Sequence, residues 1–174
     1  MRSSFPESGS RDLSTVEDTY AFGEELGAAL EAGDVVILDG PLGAGKTTLT
    51  QGVAKGMQVK GRVTSPTFVI ARVHRSTVGG PDLVHVDAYR LLDEGGANSG
   101  DPLGELDALD LDTELEDAVV IAEWGGGLVE QIVEHYLFIS IDREPAKAIV
   151  SGTSGCAGST TALNRNAVSY THLT

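Results

Sequence analysis

Cysteine is almost absent from this chain. Cys156 stands alone, which excludes an internal disulfide framework and a cysteine-based structural zinc site. Long apolar runs are missing too. None approaches the roughly 20 residues that span a bilayer, and the first residues lack the basic-then-apolar pattern of a signal peptide. A cytoplasmic location is expected. Basic residues are scarce, 12 Lys and Arg against 26 Asp and Glu, for a net charge of −14. Proteins that grip nucleic acid electrostatically need Lys and Arg to displace counterions. A role near RNA is therefore expected to be indirect, through a protein partner, with no DNA or membrane partner.

What is present is ordinary globular material: 174 residues, 41% hydrophobic and 22% charged, enough for one domain with a real core. Residues 1–12 are polar and read as a disordered terminus. Ser14 or Thr15 then offers an N-cap to an amphipathic helix that runs to about Ala32, with Val16, Tyr20, Leu26 and Leu30 at roughly helical spacing, and Gly33 stops it. Val35 to Leu38 is short, apolar and β-branched, as suits a strand buried on both faces. Thr47 to about Met57 reads as a second helix. Phe68 to Val73, Leu83 to Val86, Val119 to Ala122 and Tyr136 to Ile141 are further strands, with a short helix over Leu128 to His135. Strands alternating with helices predict a three-layer α/β/α fold of the P-loop type, its sheet mixed and mostly parallel. The domain is expected over 13–145. The tail over 146–174, rich in Gly, Ser and Thr, is expected to be disordered and not the native end of the domain.

The chemistry is carried by Gly40-Pro41-Leu42-Gly43-Ala44-Gly45-Lys46-Thr47, a G-x-x-x-x-G-K-[ST] loop lying between a predicted strand and a predicted helix. Its glycines permit backbone geometry that turns successive N–H groups inward as an anion nest, and the following helix adds its positive end. Lys46 supplies a flexible cation for the β- and γ-phosphates. Thr47 is placed to ligate Mg²⁺, with Thr48 the neighbouring hydroxyl. ATP and Mg²⁺ are the expected ligands.

Such a loop needs an acidic partner for Mg²⁺ at the end of a nearby strand. Asp87 and Glu123 both follow apolar strands, where parallel sheets deliver residues to a ligand crevice. Thr64 to Phe68 is either a γ-phosphate-sensing switch or an ordinary turn. Tyr89 and Arg90 fit a ligand contact or a core tyrosine beside a surface arginine. Trp124 reads as packing. His74, His85 and His135 show no metal-ligand spacing and receive no role.

Taken in order, Gly-x-Leu-Gly-Ala-Gly-Lys-Thr-Thr, Thr-Ser-Pro-Thr-Phe, His-Val-Asp-Ala-Tyr-Arg-Leu and Glu-Trp resemble the TsaE (YjeE) family over about residues 13–143. These are small bacterial ATPases of tRNA threonylcarbamoyladenosine modification. The resemblance implies a phosphate and Mg²⁺ site at Leu42, Gly43, Ala44, Gly45, Lys46, Thr47 and Thr48, with Glu123 on the metal side. It makes Asp87 the acid that positions water or metal, and adds Thr19 and Thr67 as nucleotide contacts. It also implies action with a TsaB–TsaD heterodimer. Pro41 stands where relatives often carry an acid, and the ending after Asp142 does not match the family's last strand.

Two other readings stay open. A small-molecule or nucleoside kinase usually needs an Arg-rich lid, whereas the stretch from Asp93 to Asp117 has ten acids and no Lys or Arg. A non-catalytic nucleotide-dependent binding module would bind ATP tightly without turnover. Weak intrinsic hydrolysis, raised by partners, is expected, because no arginine finger is evident in cis.

Overall fold

In the computed structural model, the residues described are 1–2, 5–6, 8–64, 71–87, 117–123, 135–144 and 165–173. They form strands β1 (Ser8–Leu13), β2 (Val35–Asp39), β3 (Ala71–His74), β4 (Asp82–Asp87), β5 (Ala118–Glu123), β6 (Tyr136–Glu144) and β7 (Arg165–Leu173), with helices α1 (Val16–Ala29) and α2 (Lys46–Gly56).

One seven-stranded sheet results, in the order β1-β7-β6-β2-β5-β4-β3. Its centre is parallel, with β2 between β6 and β5, and β5 paired with β4. Antiparallel pairs close both edges. β1 and the four central strands thus run one way, β3 and β7 the other. The central strands are apolar without alternation because both of their faces are buried: all four residues Val35 to Leu38 and all six of β5 are covered. Val36, Leu38, Ile121 and Leu137 look toward the helices with Phe22, Leu26, Leu49 and Val53. Val35, Ile37, Val84 and Val120 fill the opposite side.

Helix α1 starts at a capping box. Thr15 Oγ1 accepts from Asp18 N–H at 3.0 Å, while the Asp18 carboxylate accepts from Thr15 N–H at 2.9 Å. Its C-cap is Leu30, and Gly33 turns the chain into β2 with φ of +83°. α1 and α2 lie on one face of the sheet and touch backbone to backbone. A Cβ on Gly23 or Gly27 would meet Leu49 O or Val53 O, and one on Gly52 or Gly56 would meet Tyr20 O or Glu24 O. These pairs ascend together in both helices, so the two run parallel. Thr19, one turn before Gly23, therefore sits level with the first turn of α2.

Both termini depart from expectation. Ser8–Leu13 is a strand, not a disordered stretch. Only Leu13 of its six residues is buried, so the strand is held by its ladder to β7 and carries no apolar alternation to reveal it. Arg165–Leu173 also lies in the sheet, against the expectation of disorder over 146–174. Val168 and Tyr170, two residues apart and hence on one face, are buried there. Tyr170 meets Phe5 at 5.4 Å and Phe22 at 5.8 Å between ring centroids. Composition averaged over the whole tail hid that pair. The expectations for residues 68–70, 93–116 and 128–134 lie outside the described residues.

Candidate nucleotide site

The site forms where β2 hands the chain to α2. All three loop glycines have positive φ: Gly40 at +144°, Gly43 at +78° and Gly45 at +106°. Gly40 is fixed twice, since a Cβ there would stand 2.6 Å from Ile141 O on β6. Gly45 is the N-cap of α2 and offers no side-chain cap, and no acid follows in the first turn. The helix therefore turns its first N–H groups and its positive end toward the loop, which is what an anion requires.

A cleft of about 240 Å³ opens over this turn, lined by Leu42, Gly43, Gly45, Lys46, Thr47, Thr48 and Glu123. Ala44 is buried beneath it. Lys46 is buried as well, its Nζ donating to Gly40 O at 2.6 Å and Pro41 O at 3.1 Å. Burial pushes its ammonium below the ordinary lysine value, against the upward pull of Glu123, Asp39 and Asp87. Three carboxylates thus act on one ammonium, an excess of negative charge that favours a further cation.

Glu123, at the end of β5, reaches across to α2. Its Oε1 accepts from Thr47 Oγ1 at 3.2 Å and from His85 Nε2 at 2.9 Å. Asp87 ends β4 directly opposite Glu123 in the parallel ladder, so the two acids stand side by side at the carboxyl ends of adjacent strands. The residues present fit a magnesium nucleotide. The glycine turn and helix end suit its phosphates, while the Thr47 hydroxyl and Glu123 carboxylate would hold Mg²⁺ between them. Among the described residues, no three His, Cys, Asp or Glu side chains group into a metal cage, and Mg²⁺ shared with phosphates needs none.

Of the residues expected from sequence, the fold gathers Leu42, Gly43, Gly45, Lys46, Thr47, Thr48 and Glu123 at one cleft, with Ala44 under it and Asp87 beside it. Thr19 is buried on α1, its hydroxyl donating to Thr15 O at 3.2 Å. Thr67, Tyr89, Arg90 and Trp124 lie outside the described residues. Sequence reading missed Asp39 and, above all, His85. The signal available was the two-residue spacing from Asp87, which puts both on one face of β4.

No helix among the described residues is long and apolar enough to cross a membrane. The chain matches, over residues 13–149, the family model described as "Threonylcarbamoyl adenosine biosynthesis protein TsaE". A relative from Mycobacterium tuberculosis, called tRNA threonylcarbamoyladenosine biosynthesis protein TsaE, is 57% identical over 136 residues, 78% of this chain and 79% of its own length. A Bacillus subtilis protein of the same name is 36% identical over 128 residues, 73% of each. The solved structure of B. subtilis YdiB superposes with a TM-score of 0.64 at 25% identity, covering 95% of this chain and 85% of that one, so the fold is of the P-loop α/β type. On the extent of these matches, the chain belongs to the TsaE family.

Proposed function

We propose that the protein is the ATP-binding and ATP-hydrolysing component of tRNA threonylcarbamoyladenosine biosynthesis, acting with TsaB and TsaD homologues. The observation that carries the nucleotide part is the cleft itself: an uncapped helix end behind three positive-φ glycines, with Lys46, Thr47 and Glu123 converging on it. The biosynthetic part rests on the names of the relatives.

In this reading Gly43 to Thr48 bind the triphosphate through backbone N–H groups, and Lys46 exchanges its two loop carbonyls for phosphate oxygens. Mg²⁺, when bound, neutralises charge on the phosphates and helps to orient them. Thr47 and Glu123 hold that ion, while Asp87 orients water for hydrolysis or assists the metal. Turnover by the isolated protein is slow. Partner-supplied groups raise it, as trans-acting arginines do by about 10³–10⁵ in other P-loop enzymes.

Charge distribution supports a protein partner. Residues 40–81 contain six of the 12 basic residues and no Asp or Glu, within a chain of net −14. Lys55, Lys60, Arg62, Arg72 and Arg75 are all exposed there. Lys55 and Arg62 border a groove of about 450 Å³ whose floor includes Ala54, Val59 and Val63. Apolar floor and basic rim suit an acidic protein surface, which can bring apolar side chains to the floor as a polyanion cannot.

The test combines two measurements. ATP·Mg should raise the melting temperature, and TsaB–TsaD homologues should be retained on the immobilised protein and increase its ATPase rate. Absence of any thermal shift, on folded protein, overturns the nucleotide reading. Fast turnover indifferent to the partners overturns the partner reading and revives a kinase.

A further inference from the structure

Of all the groups around the cleft, His85 has no part in binding or hydrolysis as described above, yet its placement is demanding. It is fully buried in β4, between β3 and β5, where its neighbours Leu83, Val84 and Val86 are apolar. An imidazole in such a place costs stability unless it is hydrogen-bonded. Its one hydrogen bond among the described residues goes from Nε2 to Glu123 Oε1, at 2.9 Å. Nδ1 has no partner among them.

That pattern selects a tautomer. A carboxylate oxygen only accepts, so the hydrogen sits on Nε2. Were it on Nδ1, a buried donor would be orphaned and two lone pairs would face each other at 2.9 Å. A buried acceptor without a partner is the more tolerable defect.

We propose that His85 is a positioning residue for Glu123, holding the carboxylate by Oε1 so that Oε2 is presented to the Mg²⁺ of a bound nucleotide. The proposal deepens the ATP·Mg reading and rests on it. Glu123 ends its strand at the cleft, so the rotamer it keeps depends on the groups that hold its carboxylate. Thr47 Oγ1 alone pins it poorly. The Thr47 bond is longer, at 3.2 Å, and the same hydroxyl is wanted by the metal. His85 is anchored in the middle of the sheet and stays in place when Thr47 turns to the ion. No hydrogen bond among the described residues engages Oε2. Groups that orient a ligating side chain in this way typically govern metal affinity by about 10–100-fold.

Two substitutions separate positioning from mere packing. His85→Gln carries an amide N–H at the reach of Nε2, whereas His85→Asn carries one only at the reach of Nδ1. Both are polar and smaller than or similar to histidine. The readout is Mn²⁺ affinity by electron paramagnetic resonance, with a non-hydrolysable ATP analogue bound, alongside analogue affinity without metal. His85→Asn is expected to bind Mn²⁺ about tenfold or more weakly, with metal-free analogue affinity unchanged, and His85→Gln to restore most of the loss. Parental Mn²⁺ affinity in His85→Asn, or equal impairment of both variants, overturns the proposal. Should His85→Asn fail to fold, the imidazole ¹⁵N spectrum of the parent decides. An Nε2–H ring whose signals move when Mg²⁺ is added to the analogue complex supports the proposal, and an Nδ1–H ring overturns it. A parent whose analogue binding ignores metal overturns the ATP·Mg reading itself, a result distinct from a parent that responds while its variants respond equally.

Discussion

Replacing Gly27 by alanine should loosen the molecule where its two helices touch. The Cβ would stand 2.9 Å from both Val53 C and Val53 Cα, and closer still to Val53 O. Ordinary carbon contacts sit at about 3.5–4.0 Å, so α1 must retreat from α2 by about 1 Å. The obstacle is backbone, which cannot rotate away as a side chain end would. Retreat opens a gap between Phe22 and Leu26 on one helix and Leu49 and Val53 on the other, all buried together. A gap of about 0.5–1 Å forfeits a quarter to a half of each contact's attraction. Overpacking of this kind costs about 1–3 kcal/mol, and a backbone obstacle places it near the top of that range. Against it stands the better helix propensity of alanine, worth about 1 kcal/mol. The net loss is about 2 kcal/mol, a fall in melting temperature of about 4–8 °C for a chain of this size.

The control is Gly80→Ala. Gly80 is exposed, outside the left-handed region, and its Cβ would meet only Ser76 Oγ at 3.7 Å. That change should be neutral or stabilising by about 0.4–1 kcal/mol, through the unfolded chain. A second interface change, Gly52→Ala, makes the argument sharper. It presses on the same contact from α2, with its Cβ 2.9 Å from Gly23 Cα. Once α1 has moved, the second alanine meets less resistance, so the double variant should lose less than the sum of the singles. Calorimetry on the parent and the four variants reads all of this. A melting temperature for Gly27→Ala at or above the parent's would refute the close-approach reasoning.

Lys46→Ala should abolish the ATP·Mg thermal shift, which at a hundredfold excess over Kd corresponds to about 2.7 kcal/mol of linkage in the parent; a retained shift would remove Lys46 from the phosphate site. Glu123→Ala should weaken the Mg²⁺ dependence of nucleotide binding, whereas Asp87→Ala should slow hydrolysis more than it weakens binding, and titration calorimetry with a turnover assay separates the two. Lys55→Glu with Arg62→Glu should reduce retention of TsaB–TsaD homologues without changing the ATP·Mg shift, and unaltered retention would clear the groove of a docking role. The Asp82 carboxyl is held below its ordinary value chiefly by the Ser76 N–H, at 2.6 Å, with Arg75 at 2.7 Å assisting. A depressed carboxyl stabilises above its unfolded pKa and loses that contribution as pH falls through its folded value. The stability gap between the parent and Asp82→Asn should therefore be full near neutral pH and close as the pH falls below the ordinary carboxylate range. A gap independent of pH would mean that the ionised form is not what matters.

The fold was legible wherever burial is two-sided or a loop has fixed chemistry. Val35 to Leu38 suited a strand buried on both faces, and it became the axis of the sheet. The helix after the P-loop was placed within a residue of its observed start, because Gly45 and Lys46 are tied to it by the motif. Helix α1 was overextended by about three residues. Leu30 continues the apolar spacing but caps the helix in an extended conformation, and spacing alone cannot see that change of backbone. The edges were the failures, for a common reason. β1 owes its place to backbone hydrogen bonds with its neighbour, which leave little mark on the sequence, and to Arg11 paired with Glu25, while β7 advertises itself only by Val168 and Tyr170.

The candidate site divides along the same line. Lys46 and Thr47 were readable because one turn of chain holds them together. Glu123 and Asp87 were readable as strand-end acids, though nothing local says that they end up opposite each other. His85 was barely readable, its spacing of two from Asp87 being the one local signal. It lies 38 residues before Glu123, and the two meet only because β4 joins the sheet parallel to β5 with Asp87 set against Glu123. A slip of one residue in that register would turn His85 to the other face of the sheet, away from the carboxylate. The site's acid and its support are thus products of strand pairing, and Leu83, Val119 and Ile121 are buried in one apolar cluster with residues of both helices, which favours that register. A substitution that disturbs this layer should reach the metal side of the cleft before it reaches the phosphate side, whose geometry is written into eight consecutive residues.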